Sequence, residues 1–177
     1  MSFTEIWPIF DTALKVGLGG ALTLTTAWLY HRKQANPQNA PYTNRRIELL
    51  EEISASVGTV NHCFARYSAL VIESTKFGKN WPAARKQELE KANTELVEEF
   101  RKLADAEAKL LMLGEKAMEK TLRLYGARIA LFRKQVYVGR QDITEQEIAD
   151  LKTAILTLRE QFYDLLSQRY DRLLVAA

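Results

Sequence analysis

Residues 50–71 read LEEISASVGTVNHCFARYSALV, and this stretch decides the fold. Its apolar residues recur in alternating steps of three and four, which is the spacing of a heptad repeat. They are Leu50, Ile53, Val57, Val60, Phe64, Tyr67 and Val71. Leu49, Cys63, Leu70 and Phe77 widen this face beyond the narrow seam of a two-stranded coiled coil. The pattern predicts an amphipathic helix over residues 44–77, capped by Thr43 or Asn44, inside a multi-helix bundle.

Three further stretches carry the same apolar spacing. Residues 82–112 place leucines seven apart, at Leu89, Leu96, Leu103 and Leu110. The pattern resumes from Met118 to Val136 and is predicted to end at 139–142, and a capping box of Thr144 and Glu147 predicts the start of the last helix. We therefore expect an all-α fold, with an up-down-up-down four-helix bundle over residues 44–177.

The junction near Gly114 leaves an alternative open. A single glycine inside a helix costs only about 1 kcal/mol relative to alanine. If the chain does not break there, the second and third predicted helices are one, and the bundle has three long helices. Long helices are the rarer outcome in compact domains, which favours the break.

The N-terminal stretch is predicted to be a single transmembrane helix. Residues 16–30 carry no charge but would span only about 22 Å of a hydrocarbon layer that is about 30 Å thick. Extending the helix back to residue 7 gives an adequate length and brackets it with aromatic and basic residues typical of membrane interfaces. These predicted interface anchors are Trp7, Trp28, Tyr30, His31, Arg32 and Lys33.

The residues that flank this span predict its orientation. Basic residues follow the span and none precedes it, so the positive-inside rule places the N-terminus outside and the bundle in the cytoplasm. In a bacterium this would be the inner membrane. Residues 1–33 are then the anchor, and residues 34–43, which are polar and contain two prolines, form a tether to the bundle. Glu5 and Asp11 argue against a cleaved signal peptide.

Two stripes of the predicted span have functional interpretations. Small residues recur every fourth position and favour close approach of a second helix, hence self-association; they are Ala13, Gly17, Ala21 and Thr25. A polar stripe includes an acid and a base spaced four apart, the favourable order for a helical ion pair. It comprises Asp11, Lys15, Gly19, Thr23 and Thr26. Polar residues inside a membrane raise the possibility of a pore.

No residue set predicts catalysis or metal binding. The chain has two histidines and one cysteine, and neither histidine follows a glutamate by three residues, as di-iron bundles require. Neighbouring His62 and Cys63 diverge by about 100° on a helix, so they cannot form a nucleophile and base pair. His62 is predicted to face solvent. We therefore expect no cofactor, no small-molecule substrate and no enzymatic activity.

Charge is concentrated in one segment. The net charge is only +3, but residues 113–141 hold seven basic and two acidic residues, and residues 142–177 hold four basic and seven acidic ones. The basic residues predicted to lie off the apolar face are Lys116, Lys120, Arg123 and Lys134. They are expected to pair with acidic helices of the bundle or of a partner, with an anionic membrane surface as an alternative. Nucleic acid is disfavoured, because no aromatic residues interleave with these bases.

Two functions are compatible with these features. The first is a non-enzymatic, membrane-tethered interaction or scaffold protein, whose bundle binds another protein or itself at the cytoplasmic face. The second is a membrane-perturbing or pore-forming effector that assembles through its transmembrane helix.

Overall fold

A computed structural model describes residues 40–176, which form four α-helices. Helix α1 spans Ala40–Phe77, α2 spans Ala83–Met112, α3 spans Lys116–Gln135 and α4 spans Glu145–Ala176, with a short 3₁₀ helix at Gly78–Asn80. Thr43–Ala177 form one compact unit. The predicted all-α four-helix fold is confirmed. Within residues 40–176, no helix is long and apolar enough to cross a membrane, and the predicted span at 7–30 lies outside the described residues.

The first two helices run antiparallel. Glu52, early in α1, pairs with Lys109 near the end of α2, with 2.7 Å between the carboxylate and ammonium atoms. Glu73, late in α1, pairs with Arg85 near the start of α2.

Helix α4 lies antiparallel along another side of α1. The Tyr163 hydroxyl donates a hydrogen bond to the Ser54 carbonyl oxygen at 3.2 Å, and Lys76 pairs with Glu145 at 2.8 Å. Helix α3 packs against both α2 and α4. The helices therefore follow the predicted up-down-up-down order.

The core contains the heptad residues of α1 and the predicted apolar residues of α2 and α3, whereas Phe77, predicted to widen the apolar face of α1, is exposed. All seven residues of the α1 heptad pattern are buried, as are the four leucines of α2. Phe64 of α1 meets Phe132 of α3 edge to face, with ring centroids 5.1 Å apart. For α4 the apolar spacing predicts a core face of Ile148, Leu151, Ile155, Leu158, Phe162 and Leu165. Leu151, Leu158 and Leu165 are only partly buried, whereas Leu166 and Leu173 belong to the core.

The break at Gly114 is real, and its hydrogen bonds explain it. The Gly114 backbone is left-handed, with φ +78°. Its N–H donates to the Leu111 carbonyl at 3.0 Å, and the Glu115 N–H donates to the Leu110 carbonyl at 2.9 Å. These two bonds form a Schellman motif, which ends a helix by satisfying its last carbonyls. The alternative of three long helices is therefore wrong.

Two helix boundaries differ from the sequence predictions. Helix α1 begins at Ala40, so Thr43 and Asn44 lie inside it and do not cap it. Pro41 is tolerated because the first turn of a helix needs no N–H donors. Helix α3 ends at Gln135, earlier than predicted. The Val136 side chain is still buried, but its backbone is extended, and the chain leaves the helix there.

Candidate interaction surfaces

The four predicted basic residues lie on one exposed face of α3. Lys116, Lys120, Arg123 and Lys134 are all exposed, and at 100° per residue they fall opposite the buried stripe of that helix. Arg123 pairs with Glu119 of its own helix at 3.4 Å. In the described part of the chain the three lysines have no ion pair. The expected pairing with the acidic α4 is therefore not found for these residues.

Other basic residues of the same segment do bond within the bundle. Arg133 donates to the Asn93 side-chain oxygen at 2.6 Å, and its guanidinium lies 5.7 Å from the ring centroid of Tyr67. Arg140 donates to the Gln135 carbonyl at 2.5 Å and pairs with Asp142. The basic segment thus divides into an inward set, which links helices and loops, and an outward set of lysines on α3.

Two separate open depressions, together called the groove, lie along the seam between α1 and α4. The first, of 560 Å³, lies where α1 ends and α4 begins, and the second, of 550 Å³, lies towards the other end of the same seam. Their linings are largely apolar or small. The first is lined by Ile72, Thr75, Lys76, Ile143, Glu145, Ile148, Ala149, Lys152, Thr153 and Leu156. The second is lined by Leu50, Glu51, Ser54, Ala55, Tyr163, Leu166, Ser167 and Tyr170.

Tyr163 and Tyr170 of α4 extend across this seam, because most of the α1 residues that face them have small side chains. An added Cβ at Gly58 would lie 3.8 Å from the Tyr163 hydroxyl oxygen, so the ring sits close to the α1 backbone. The Tyr170 hydroxyl donates to Glu51 at 3.1 Å, and this bond raises the pKa of Tyr170. Small and polar residues of α1 therefore leave the groove open while tyrosine hydroxyls hold the two helices together.

The near end of the bundle is where α1 begins, where α2 turns into α3 and where α4 ends. Four large apolar side chains are exposed there: Leu111, Met112, Leu174 and Val175. Met112 is 87% exposed and Val175 is 91% exposed, the largest values among the large apolar residues of the described chain. These exposed residues were not predicted, although two runs of adjacent apolar residues in the sequence, 110–113 and 173–175, indicate them. One helix face cannot bury every member of such a run.

The far end is the opposite end, where α1 connects to α2 and α3 connects to α4. Trp81 is 2% exposed, and its indole N–H donates to Glu73 at 3.1 Å. Arg85 binds both oxygens of the Glu73 carboxylate and also donates to Glu88 at 2.6 Å. The bonds from Arg85, reinforced by the one from Trp81, lower the pKa of Glu73. This cluster fastens the connection between α1 and α2.

The far end also contains the predicted capping box. The Glu147 N–H donates to the Thr144 hydroxyl at 3.1 Å, and the Thr144 N–H donates to the Glu147 carboxylate at 2.8 Å. The Thr144 N–H and the Thr144 hydroxyl both donate to the Glu147 carboxylate and lower its pKa. The Thr144 and Glu147 prediction is confirmed, and it fixes the start of α4.

Within the described residues, the side chains that could act in catalysis or metal binding do not come together in one site. His62 is exposed, as predicted, and Cys63 is half-buried. Burial raises the pKa of the Cys63 thiol, and the Glu99 carboxylate raises it further, so the thiol stays protonated at neutral pH. Across residues 40–176, no group of three or more His, Cys, Asp or Glu side chains could hold a metal ion.

A few buried polar atoms lack hydrogen-bond partners within the described residues. They are the Tyr125 hydroxyl, one Glu99 oxygen and the Arg133 Nε. Each has different neighbours: Tyr125 lies near Arg159, Glu99 pairs with Lys102, and Arg133 bonds to Asn93. They therefore do not form a common site.

The remaining predicted residues lie outside the described part of the chain. These are the interface anchors, the small-residue stripe and the polar stripe of residues 7–33. The chain matches no protein family, no curated protein and no solved structure. The functional argument therefore rests on the surfaces of the bundle.

Proposed function

We propose that this protein is a non-enzymatic, membrane-tethered interaction protein whose bundle binds another protein, or a second copy of itself, at the cytoplasmic face of the membrane. The observation that supports this most is the open groove along the α1–α4 seam. The bundle interior is filled by large side chains such as Tyr125, Phe132 and Phe162. A filled interior with an open, largely apolar seam favours binding of another polypeptide over binding of a small molecule.

The dimensions of the groove favour a helical partner element. The lining of the first depression runs along α4 from Glu145 to Leu156, which at 1.5 Å per residue is about 17 Å. About three turns of an amphipathic helix have this length and present apolar residues every three or four positions. Leu156, which is 41% exposed, offers such a helix an apolar contact. The partner's binding element is therefore proposed to be an amphipathic helix.

Site-specific photo-crosslinking in intact membranes tests the groove. A photoreactive residue at Thr153, which lines the groove, is expected to form a crosslinked product. The same residue at Gln161, which is exposed on α4 and lies about 140° around the helix from Leu156, is expected to form none. Leu156→Arg should abolish the Thr153 product, whereas Val97→Arg, at an exposed apolar position of α2, should leave it intact. Equal products at both positions would argue against the groove as the binding site.

Membrane tethering has a separate test. Leu18→Asp combined with Leu22→Asp places two acids in the predicted span, where each is strongly disfavoured, and should move the full chain out of the membrane fraction. Leu124→Asp makes the same chemical change at an exposed position of the bundle and should leave the chain in that fraction. Retention of the double variant in membranes resistant to carbonate extraction would contradict the tether.

The second candidate is a membrane-perturbing effector, supported by the intramembrane pair of Asp11 and Lys15 in the sequence. Expression of the native chain with a membrane-potential dye is then expected to report depolarisation. Lys15→Leu and Gly17→Leu should reduce it by removing the charge and the close helix approach. Depolarisation unchanged in these variants, or absent for the native chain, counts against this function.

A further inference from the structure

We propose that the near end of the bundle binds directly to the surface of an anionic lipid bilayer. This inference rests on the proposed tether and adds that the bundle itself contacts the membrane surface. It starts from the exposure of Met112 and Val175. Side chains this exposed bury almost no area on folding and contribute little to stability. A group of such residues at one end of a domain marks a binding surface.

Polar contacts hold the α2–α3 turn that carries Met112 in place. The Arg46 guanidinium donates to the Leu113 carbonyl at 2.9 Å, which braces the turn against α1. Arg169 of α4 pairs with Glu115 at 2.5 Å, and both side chains are mostly buried. Together with the hydrogen bonds around Gly114, these contacts present Met112 from a fixed support. These contacts of the turn therefore fix the exposed position of Met112.

The course of the chain identifies a membrane as the surface that this end meets. The predicted interface anchors end at Lys33, and α1 begins at Ala40, which is itself at the near end. Only residues 34–39 lie between them, and six residues span at most about 22 Å when fully extended. If the anchor spans the bilayer, the near end is held within that distance of the lipid headgroups. A bilayer is then the apolar and charged surface most available to it.

The basic face of α3 adds charge complementarity. Lys116 and Lys120 lie in the first turns of α3, next to the α2–α3 turn, and neither has an ion pair in the described chain. Basic residues next to exposed apolar ones are the combination that binds anionic headgroups and inserts into the interface. Lys134 lies on the same face but 14 residues beyond Lys120, about 21 Å further along the helix. Only Lys116 and Lys120 are therefore expected to contribute to lipid binding.

Spin-label quenching on the full-length chain tests the proposal. The chain, in a Cys63→Ala background, is reconstituted in phosphatidylcholine vesicles with or without phosphatidylserine. An environment-sensitive fluorophore is attached at Met112→Cys or Val175→Cys, and at Tyr137→Cys as a matched far-end position, which is 52% exposed. A nitroxide near the lipid headgroups should quench the two near-end probes at least about twofold more than the Tyr137→Cys probe when phosphatidylserine is present.

Charge variants sharpen the test. Lys116→Glu combined with Lys120→Glu should reduce quenching of the Met112→Cys probe, whereas Lys134→Glu on the same face should leave it unchanged. Equal effects of the two sets would overturn the role assigned to the near-end lysines. Equal quenching without phosphatidylserine would overturn the requirement for anionic lipid.

The outcomes separate this inference from the proposed function. Vesicle flotation reports the tether, and quenching reports contact of the bundle with lipid. A chain that floats but shows no difference between near-end and far-end probes overturns lipid docking and leaves the tether intact. Near-end probes that shift to the blue without nitroxide quenching are covered by protein, either a second copy or residues 1–39, and this also overturns the inference. A chain that does not float overturns both.

Discussion

The two ends of the bundle are built differently. At the far end, the buried Trp81 donates to the Glu73 carboxylate, which Arg85 binds in turn, and the Thr144 and Glu147 capping box fixes the start of α4. At the near end, Met112 and Val175 point into solvent on well-formed helices. Polar networks and caps contribute to folding stability, whereas exposed apolar side chains do not. The comparison teaches that the far end serves to hold the fold and that the near end is available for binding.

The far end also exposes apolar residues, but to a smaller extent. Phe77, Tyr137 and Val138 are 58%, 52% and 46% exposed, well below Met112 and Val175. Both ends contain polar contacts, such as that of Arg169 with Glu115 beside the α2–α3 turn, so the ends differ in how exposed their apolar side chains are and in the buried indole of the far end. Variants at each end test this difference.

Trp81→Ala should have the largest effect on stability. It removes a buried indole and leaves a cavity at the connection of α1 and α2, which costs about 3–5 kcal/mol of unfolding free energy. Urea denaturation followed by circular dichroism measures this loss. A loss below about 1 kcal/mol would mean that the far end does not hold the fold as argued.

Glu73→Gln should reduce stability by less, and in a pH-dependent way. The Arg85 guanidinium beside Glu73 holds the pKa of that carboxyl below its usual value of 4.5. A lowered pKa stabilises the fold above pH 4.5, and this stabilisation is lost as the pH falls through the lowered pKa. The difference in unfolding free energy between the native chain and Glu73→Gln should therefore be greatest near neutral pH and shrink in acid. Glu90→Gln, at an exposed glutamate of α2, serves as the control, and a pH-independent difference for Glu73→Gln would contradict the argument.

Gly114→Ala should cost about 1–2 kcal/mol, because alanine is strained in the left-handed backbone of the α2–α3 turn. Gly58→Ala is a matched control, for which the unfolding free energy is expected to rise. Gly58 lies inside α1 with ordinary space for a Cβ, so alanine should stabilise the helix by about 0.5–1 kcal/mol. Thermal denaturation of the two variants measures both effects. Equal shifts in melting temperature would show that the turn does not depend on a left-handed residue.

Met112→Ser should have the smallest effect on stability, within about 0.5 kcal/mol, because the side chain is almost fully exposed. Denaturation of the chain in detergent, beside Trp81→Ala, gives the direct contrast between the ends. A loss comparable to that of Trp81→Ala would mean that Met112 packs against protein, and the near end would no longer be a free surface.

The sequence predicted the helices well where apolar spacing or a local cap decides the structure. The heptad residues of α1 and the α2 leucines are buried as predicted, because their spacing admits only one apolar face. The Thr144 and Glu147 capping box is local and was also predicted correctly. The start of α1 was missed because Thr43 and Asn44 are good caps in isolation. The helix already begins at Ala40, and Pro41 in its first turn removes no backbone hydrogen bond.

The candidate surfaces were predicted only in part. The exposure of Lys116, Lys120 and Lys134 followed from their positions off the apolar face. Their lack of ion pairs within the described chain could not be predicted, because the number of acidic residues in α4 does not show which of its carboxylates lie close to α3. The α1–α4 groove escaped prediction for a similar reason. It depends on small residues such as Gly58 and Ala55 facing tyrosines more than 100 positions away in the chain.

Apolar periodicity and turn chemistry are local properties of the chain, so they predicted the core faces of α1 and α2 and the start of α4. The choice between three and four helices stayed open until the structure showed the left-handed backbone at Gly114. Tertiary structure also decided which apolar residues remain outside. Leu70 and Phe77 lie seven residues apart on the same face of α1, yet Leu70 is buried and Phe77 is 58% exposed. The reason is physical: burial depends on where the other helices end, and no local pattern encodes that distance.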